Sequence, residues 1–333
     1  MNKNIIYLAA LVSLLTISCT KHYPFDTLDK AEEEGDPWIL SKFTATNVID
    51  FEQGKVTFFQ SNDSHVLTAD LTDQPLLPDP DNKAYYSYDD LEAKGLLEVP
   101  VADGKGNYYR IPTAGEMQMI MPEATEPGGF FGFLDFCPVE DYSETVVETA
   151  YLDNNDDSTV DTEGTKVSGE STFYYAADYN DGEPDFSPIF ALRFKGTSQY
   201  AAYRYDIVKI KSISEGQYQE LWGLRVRAIR LVGSSDMSID DIKAENIFST
   251  PDAVDLTLPM LCFMFGDENR RIYGSGYGTS GKLFSSSLYD NYGSKYSMVA
   301  SFSHRDGLVT QDTYGTHMRY PIRPLKCKED GTL

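Results

Sequence analysis

Between Leu221 and Val232 the chain alternates strictly, with Trp222, Leu224, Val226 and Ala228 interleaved with Gly223, Arg225 and Arg227. A period of two places the two sets on opposite sides of an extended backbone, so this stretch is read as a strand with one wet face. Further strand-like runs are Thr172 to Ala176, Ile189 to Phe194, Tyr200 to Ile210, Leu256 to Phe265 and Tyr296 to Phe302. The 23 tyrosines and 18 phenylalanines, against two tryptophans, agree with a β-rich fold. Tyrosine at this density also suits an adhesive surface, although core packing is the default for most of these rings. Upstream, Val56 to Gln60 and His65 to Ala69 read as short strands around an Asn-Asp turn. Pro75, Pro78 and Pro80 mark the segment after them as an exposed loop or linker.

Helical signals are few. In Thr113-Ala-Gly-Glu116 the threonine hydroxyl can accept from the Glu116 amide while the Glu116 carboxylate reaches back, a capping box. Pro122 is expected to stop that helix. Met117, Ile120 and Met121 fall on one helical face and are read as core. Ile239 to Phe248 is the other expected helix. The fold class expected is therefore α+β and β-rich.

The N-terminus reads differently. Met1 to Lys3 give a short positive start, and Ile5 to Ile17 form an apolar run too short for a membrane-spanning helix, which needs ~20 residues. It ends in Leu15-Thr-Ile-Ser-Cys19. Residues 1–18 are thus expected to be a secretory signal. Asp26, Asp29, Glu32, Glu33, Glu34 and Asp36 make residues 19–36 an acidic segment, expected to be a flexible tether. The rest divides into an N-terminal β-rich segment, 37–100, a large β-rich domain, 101–327, and a tail, 328–333.

A formal charge of -24 makes nucleic acid and anionic lipid poor partners. Cys137, Cys262 and Cys327 match no zinc spacing. Export permits a disulfide among them, and the spacing does not choose the pair. Chemistry is hard to assemble from the remainder. His22 lies in the tether and His65 in the N-terminal segment, while His304 and His317 flank a turn with Asp306 and Asp312 and are read as loop histidines. No serine sits in a Gly-x-Ser-x-Gly elbow. The glycine-rich run Gly274 to Gly281 lacks the phosphate-loop lysine. Asp153, Asn155, Asp157 and Asp161 are spaced like a calcium loop, but Ser158 and Gly164 stand where glycine and glutamate are required. Asp178, Asn180 and Glu183 form a second acidic cluster, and both are read as solvated turns. No catalytic, metal or cofactor residue is assigned, and an enzyme is not expected.

The stretch ending in Cys19 resembles the lipobox of bacterial lipoproteins, with Thr16 where leucine is usual. The resemblance implies lipidation of Cys19 and a membrane anchor. An acidic run just after that cysteine resembles the signal carrying Bacteroidota lipoproteins to the outer face of the outer membrane. Further on, Tyr109-Arg-Ile-Pro-Thr-Ala-Gly-Glu-Met117 resembles the WRLPTxxEW segment of the major paralogous (FISUMP) domains. Phe190 to Gly196 with Ala202 to Tyr205, Tyr273 to Tyr277 with Leu283 to Ser287, and Tyr320 to Leu325 are similar to later segments of that family, in the same order. The tryptophans expected near Met117 and Phe284 are absent, and the terminal cysteine is displaced to Cys327. The resemblance implies a C-type-lectin-like C-terminal domain, or alternatively two fimbrillin-type β-sandwich domains. It also implies a surface protein acting in adhesion or fimbria assembly, as an accessory or tip subunit with other surface proteins as partners. A carbohydrate- or nutrient-binding lipoprotein, with a glycan as ligand, is the alternative.

Overall fold

The computed structural model describes residues 37–62, 84–97, 99–122, 134–152, 165–177, 179–180, 183–184, 186–212, 220–231, 237–244, 247–261, 263–264, 272–273, 280–291, 293–303 and 308–333. In chain order the elements are β1 (Val48–Glu52), β2 (Lys55–Phe58), β3 (Tyr86–Ser87), α1 (Tyr88–Ala93), β4 (Val101–Ala102), β5 (Tyr108–Arg110) and α2 (Ala114–Met117). There follow β6 (Tyr142–Tyr151), β7 (Lys166–Tyr175), β8 (Tyr179–Asn180), β9 (Glu183–Pro184), β10 (Ile189–Lys195), β11 (Ala201–Ser212), β12 (Glu220–Arg230) and α3 (Ile239–Ala244). The chain closes with β13 (Val254–Pro259), β14 (Phe263–Met264), β15 (Ile272–Tyr273), β16 (Ser280–Asn291), β17 (Ser294–Ser303), β18 (Leu308–Gly315), β19 (Arg319–Tyr320) and β20 (Leu325–Cys327). Strand takes 50% of the structure and helix 12%, so the fold is β-rich and its helices are accessories to open antiparallel sheets.

The largest sheet has the order β13-β12-β11-β10-β7-β6. Its alternation is the one the sequence announces. Leu224, Val226 and Ala228 of β12 point into the main core, while Arg225 and Arg227 face outward and pair with Asp255 and Asp206. That core also takes Leu283, Ala300 and Phe302 from the β16-β17-β18 sheet, so the two sheets share one apolar interior. On the outer face, Phe190, Leu192, Ala202 and Ile229 are covered by Ile242 of α3 and by Ile247 and Phe248 of a 3-10 turn. The helix expected over Ile239 to Phe248 is therefore present as α3 followed by that turn.

Residues on both sides of position 100 build the same cores. Trp38, Ile39, Leu40 and Phe43 lie in the main core beside Phe173, Tyr203 and Leu258. A second core joins Val48, Phe51, Tyr86 and Leu91 to Phe284, Val299, Tyr320 and Ile322. One sheet is shared as well, since β3 pairs with β19, and Phe43 makes an antiparallel bridge to Leu325 of β20.

The capped helix is shorter than its pattern predicts. The capping box forms as expected, with the Glu116 amide donating to Thr113 Oγ1 at 3.2 Å and the Thr113 amide donating to Glu116 Oε2 at 2.9 Å. Yet α2 ends at Met117, and Gln118 to Ile120 continue as tighter turns. Met117, Met119, Ile120 and Met121 are all buried, so the stripe read as core is core, with Met119 added to it. α1 has no counterpart among the expected helices. Ser87 caps it by accepting from the Asp90 amide, and Asp89 and Asp90 occupy its first turn, where acidic side chains are favoured.

Candidate functional site

The first, second and fourth of the motif-like segments, with part of the third, converge on α2. Three carbonyls just past its end, at Gln118, Met119 and Ile120, are met by side chains from two strands. Arg193 of β10 is the first, its Nη2 donating to Gln118 O at 2.6 Å. Tyr203 and Tyr205 of β11 donate their hydroxyls to Met119 O and Ile120 O at 3.0 and 3.1 Å. The start of the helix is held from the other side. The Ala114 amide donates to Ser287 Oγ at 2.9 Å, and the Ser286 amide donates to Pro112 O at 2.9 Å. The closing segment joins in: the Phe284 amide donates to Pro321 O at 3.0 Å, and Leu325 pairs with Arg110.

Arg193 is 0% exposed. A buried guanidinium is tolerated only when paired and hydrogen-bonded. Glu148 on β6 meets it with two bonds, Nε to Oε2 at 2.9 Å and Nη2 to Oε1 at 2.6 Å. Nη1 donates to the Tyr205 hydroxyl at 2.9 Å, and the guanidinium lies 5.0 Å from the ring centroids of Phe194 and Tyr203. Burial is the largest single influence and would lower the Arg193 pKa, but the Glu148 charge and hydrogen bonds, with Tyr205 and Tyr203, together outweigh it and hold the group more firmly protonated than usual. Burial pushes the Tyr203 hydroxyl up to about 12. It raises Tyr205 further, although Arg193 opposes the shift. Both phenols are thus fixed as hydrogen-bond donors.

The backbone bends to bring Arg193 inward. Pairing of β10 with β7 slips between Leu192 and Lys195, and Phe194 adopts φ 58, a left-handed conformation uncommon for a bulky residue. The Phe194 amide donates to Ser171 Oγ at 2.9 Å, which steadies the bulge. Gly169 makes room for it, since a Cβ there would stand 2.7 Å from Lys195 O.

Beside this knot opens a cleft of about 520 Å³, lined by Pro37, Ile39, Arg110, Glu116, Leu152, Ser198, Gln199 and the 330–333 segment, among others. Arg110 and Glu116 form its charged wall. Two guanidinium nitrogens grip the carboxylate at 2.7 and 2.5 Å, and Nε donates to Gly331 O at 3.0 Å. Gln199 ties the rim, accepting from the Ile39 amide at 3.0 Å and donating to Pro37 O at 2.8 Å. Glu116 is committed to the cap and to Arg110, so it could serve as a base only by breaking both. The arrangement offers a recess that mixes the hydroxyls of Thr113, Thr165, Ser198 and Thr332 with apolar side chains.

A second buried cation, Arg323, donates to Thr44 O at 3.1 Å and to Thr257 O at 2.8 Å. Burial, with no carboxylate facing it among the described residues, draws its pKa down to about 9.

The sequence matches the family described as Domain of unknown function (DUF8237) over residues 61–325. The chain belongs to the DUF8237 family. No curated protein and no solved structure matches it. The DUF8237 match spans the capped helix, Arg193, both tyrosines and the Ser285 to Ser287 run, so the whole α2 knot lies within the family region.

Of the residues singled out earlier, Cys137 and Cys327 are free thiols, and Cys262 lies outside the described residues. His317 is exposed, against Gly315. His22, His65, His304 and Asp306 fall outside the described residues, as do Cys19, the tether, the His65 to Ala69 strand and the proline-marked loop. So do most of the acidic calcium-like runs and the glycine-rich run up to Thr279. Among the described residues no three His, Cys, Asp or Glu side chains gather as a metal site, and no helix is long and apolar enough to cross a membrane. The Arg193–Glu148 pair was not anticipated. Its signal was a lone arginine inside the apolar run Ile189 to Phe194, because a charge within a buried strand requires a partner.

Proposed function

We propose that this DUF8237 protein is a non-enzymatic surface lipoprotein, anchored through Cys19 to the outer membrane, that acts in adhesion or fimbria assembly. The observation carrying this reading is the way the body begins. After the acidic stretch that follows Cys19, Pro37 and Ile39 are clamped by Gln199 and the next residues enter the main core. A lipid on Cys19 would then hold the whole β-rich body at the membrane surface through a single tether. Several acyl chains suffice for stable anchoring, at ~0.8 kcal/mol per buried methylene. The ordered motif segments support a lectin-like arrangement of the region after residue 100, preceded by the shorter β-rich segment. The test is labelled-palmitate incorporation in cells carrying the wild type or Cys19→Ser, followed by adhesion and fimbrial-composition assays on the gene deletion. Loss of label with Cys19→Ser and altered adhesion or fimbriae on deletion are expected. Unchanged labelling, or a deletion strain with unaltered adhesion and fimbriae, would sink the reading.

A carbohydrate-binding role is the second reading, favoured by the hydroxyl-lined cleft. A glycan-array signal removed by Ser198→Trp, which fills that cleft, would bring it to the front.

A further inference from the structure

The two edges of the six-stranded sheet are finished differently. At β13 one backbone carbonyl, Thr257 O, also accepts from the buried Arg323. At the other side β6 pairs only with β7 among the described residues. Sheet edges are usually blunted by bulges, prolines, lysines or short length, because an open row of amides and carbonyls templates pairing with another chain. β6 shows none of these, and its one inward-pointing charge, Glu148, is neutralised by Arg193. Its ten residues pair with β7 without a register shift, and they contain no proline, lysine or arginine.

The apolar surface follows the same pattern. Among the described residues the exposed large hydrophobic ones are Val99, Val139, Tyr142 and Val147, three of them on β6 or just before it. Val139 and Val147 are 85% and 71% exposed. The open stretch has a defined end: Thr113 Oγ1 donates to Leu152 O, and Gly115 packs so closely that a Cβ would stand 2.0 Å from Tyr151 O. What remains is a regular strand edge from Tyr142 to Thr149, with Val139 exposed just before it.

We propose that this edge is a docking site for an extended segment of another protein, which adds to the sheet as a seventh strand and carries cationic side chains alternating with apolar ones. Backbone hydrogen bonds would provide affinity and alternate side chains specificity. The cationic character follows from charge. Glu140 and Glu144 flank the apolar residues without an ion pair among the described residues, and the chain carries -24 overall. The same charge opposes a second copy of this chain as the occupant, since like charges across an interface are unfavourable. The proposal rests on the sheet edge alone and stands whether or not Cys19 is lipidated.

The test uses the full chain and three short synthetic peptides: one alternating valine with lysine, one of the same charge with a central proline, and one with glutamate in place of lysine. Binding is titrated, and amide hydrogen exchange is followed in β6 and β13. The valine-lysine peptide should bind and slow exchange in β6 but not in β13. The proline and glutamate peptides should do neither. Val147→Lys should weaken binding at least about tenfold, and Val99→Lys should leave it unchanged. Equal binding by the proline peptide would mean charge attraction without strand addition and would overturn the proposal. So would an unaffected Val147→Lys variant, or protection of β6 by concentration-dependent self-association.

Discussion

At Arg193 a full positive charge is held away from water by one carboxylate, two carbonyls and a phenol. Removing one member of a buried ion pair leaves the other uncompensated, which typically costs about 3–5 kcal/mol. Glu148→Gln should therefore lower stability by that order, read from the urea midpoint. Tyr205→Phe should cost less, about 1.5–3 kcal/mol, because it deletes one hydrogen bond to the charged Arg193 and one to Ile120 O but strands no ion. Asp141 offers a pH-dependent counterpart. Its carboxyl is held below the ordinary 3.8 first by the Tyr174 hydroxyl and then by the Ala177 amide. A depressed folded-state pKa contributes stability that is fully present above the unfolded value and lost as pH falls through the folded one. Tyr174→Phe should move the Asp141 titration up toward 3.8 in a carboxyl NMR experiment. The stability difference between variant and wild type should shrink in acid. A titration unmoved by the substitution would show that the Tyr174 bond is not what holds Asp141 down.

Among elements, α2 is short and yet positioned from every side. Thr113→Ala removes the cap, at about 1–2 kcal/mol, together with the bond to Leu152 O. Gly115→Ala should be worse than Thr113→Ala, because its Cβ would collide with the Tyr151 backbone, which cannot swing aside. Gly54→Ala is the control. It meets nothing within 4 Å and bears only the strain of φ +76, roughly 1 kcal/mol. Thermal denaturation of the three variants should rank them in that order, with Gly54→Ala mildest. The capping box was legible because it is local: Thr113 and Glu116 lie three residues apart, and their chemistry needs no distant partner. The length of α2 was not, since Arg193, Tyr203 and Tyr205 hold the carbonyls of Gln118, Met119 and Ile120 just past its end from strands far along the chain. β12 was legible through its alternation. β6 was missed for the opposite reason: Ser143, Thr145, Val147 and Thr149 stand on one side and Tyr142, Glu144, Val146 and Glu148 on the other, so neither face is consistently apolar. Cross-strand pairs such as Thr145 with Thr172 and Thr149 with Ser168 support it instead.

Across the molecule, the shared cores tie residues 37–97 to everything that follows. Trp38, Leu40, Phe43, Val48, Phe51 and Leu91 are buried, and Leu40, Val48, Phe51 and Leu91 have no measurable exposure. A chain starting at residue 101 would lose these side chains and β3, one of the two partners of β19, and should fail to unfold cooperatively in a calorimetric scan. A fragment starting at residue 37 should retain a cooperative transition. A well-folded 101–333 fragment would show that the second core is dispensable. The most direct test of the surface-assembly reading is recovery of the tagged, surface-expressed protein with mass spectrometry of what accompanies it. The account predicts lipidated protein together with fimbrial or other surface subunits in fixed proportion. Recovery of the protein alone, without lipid on Cys19, would contradict it.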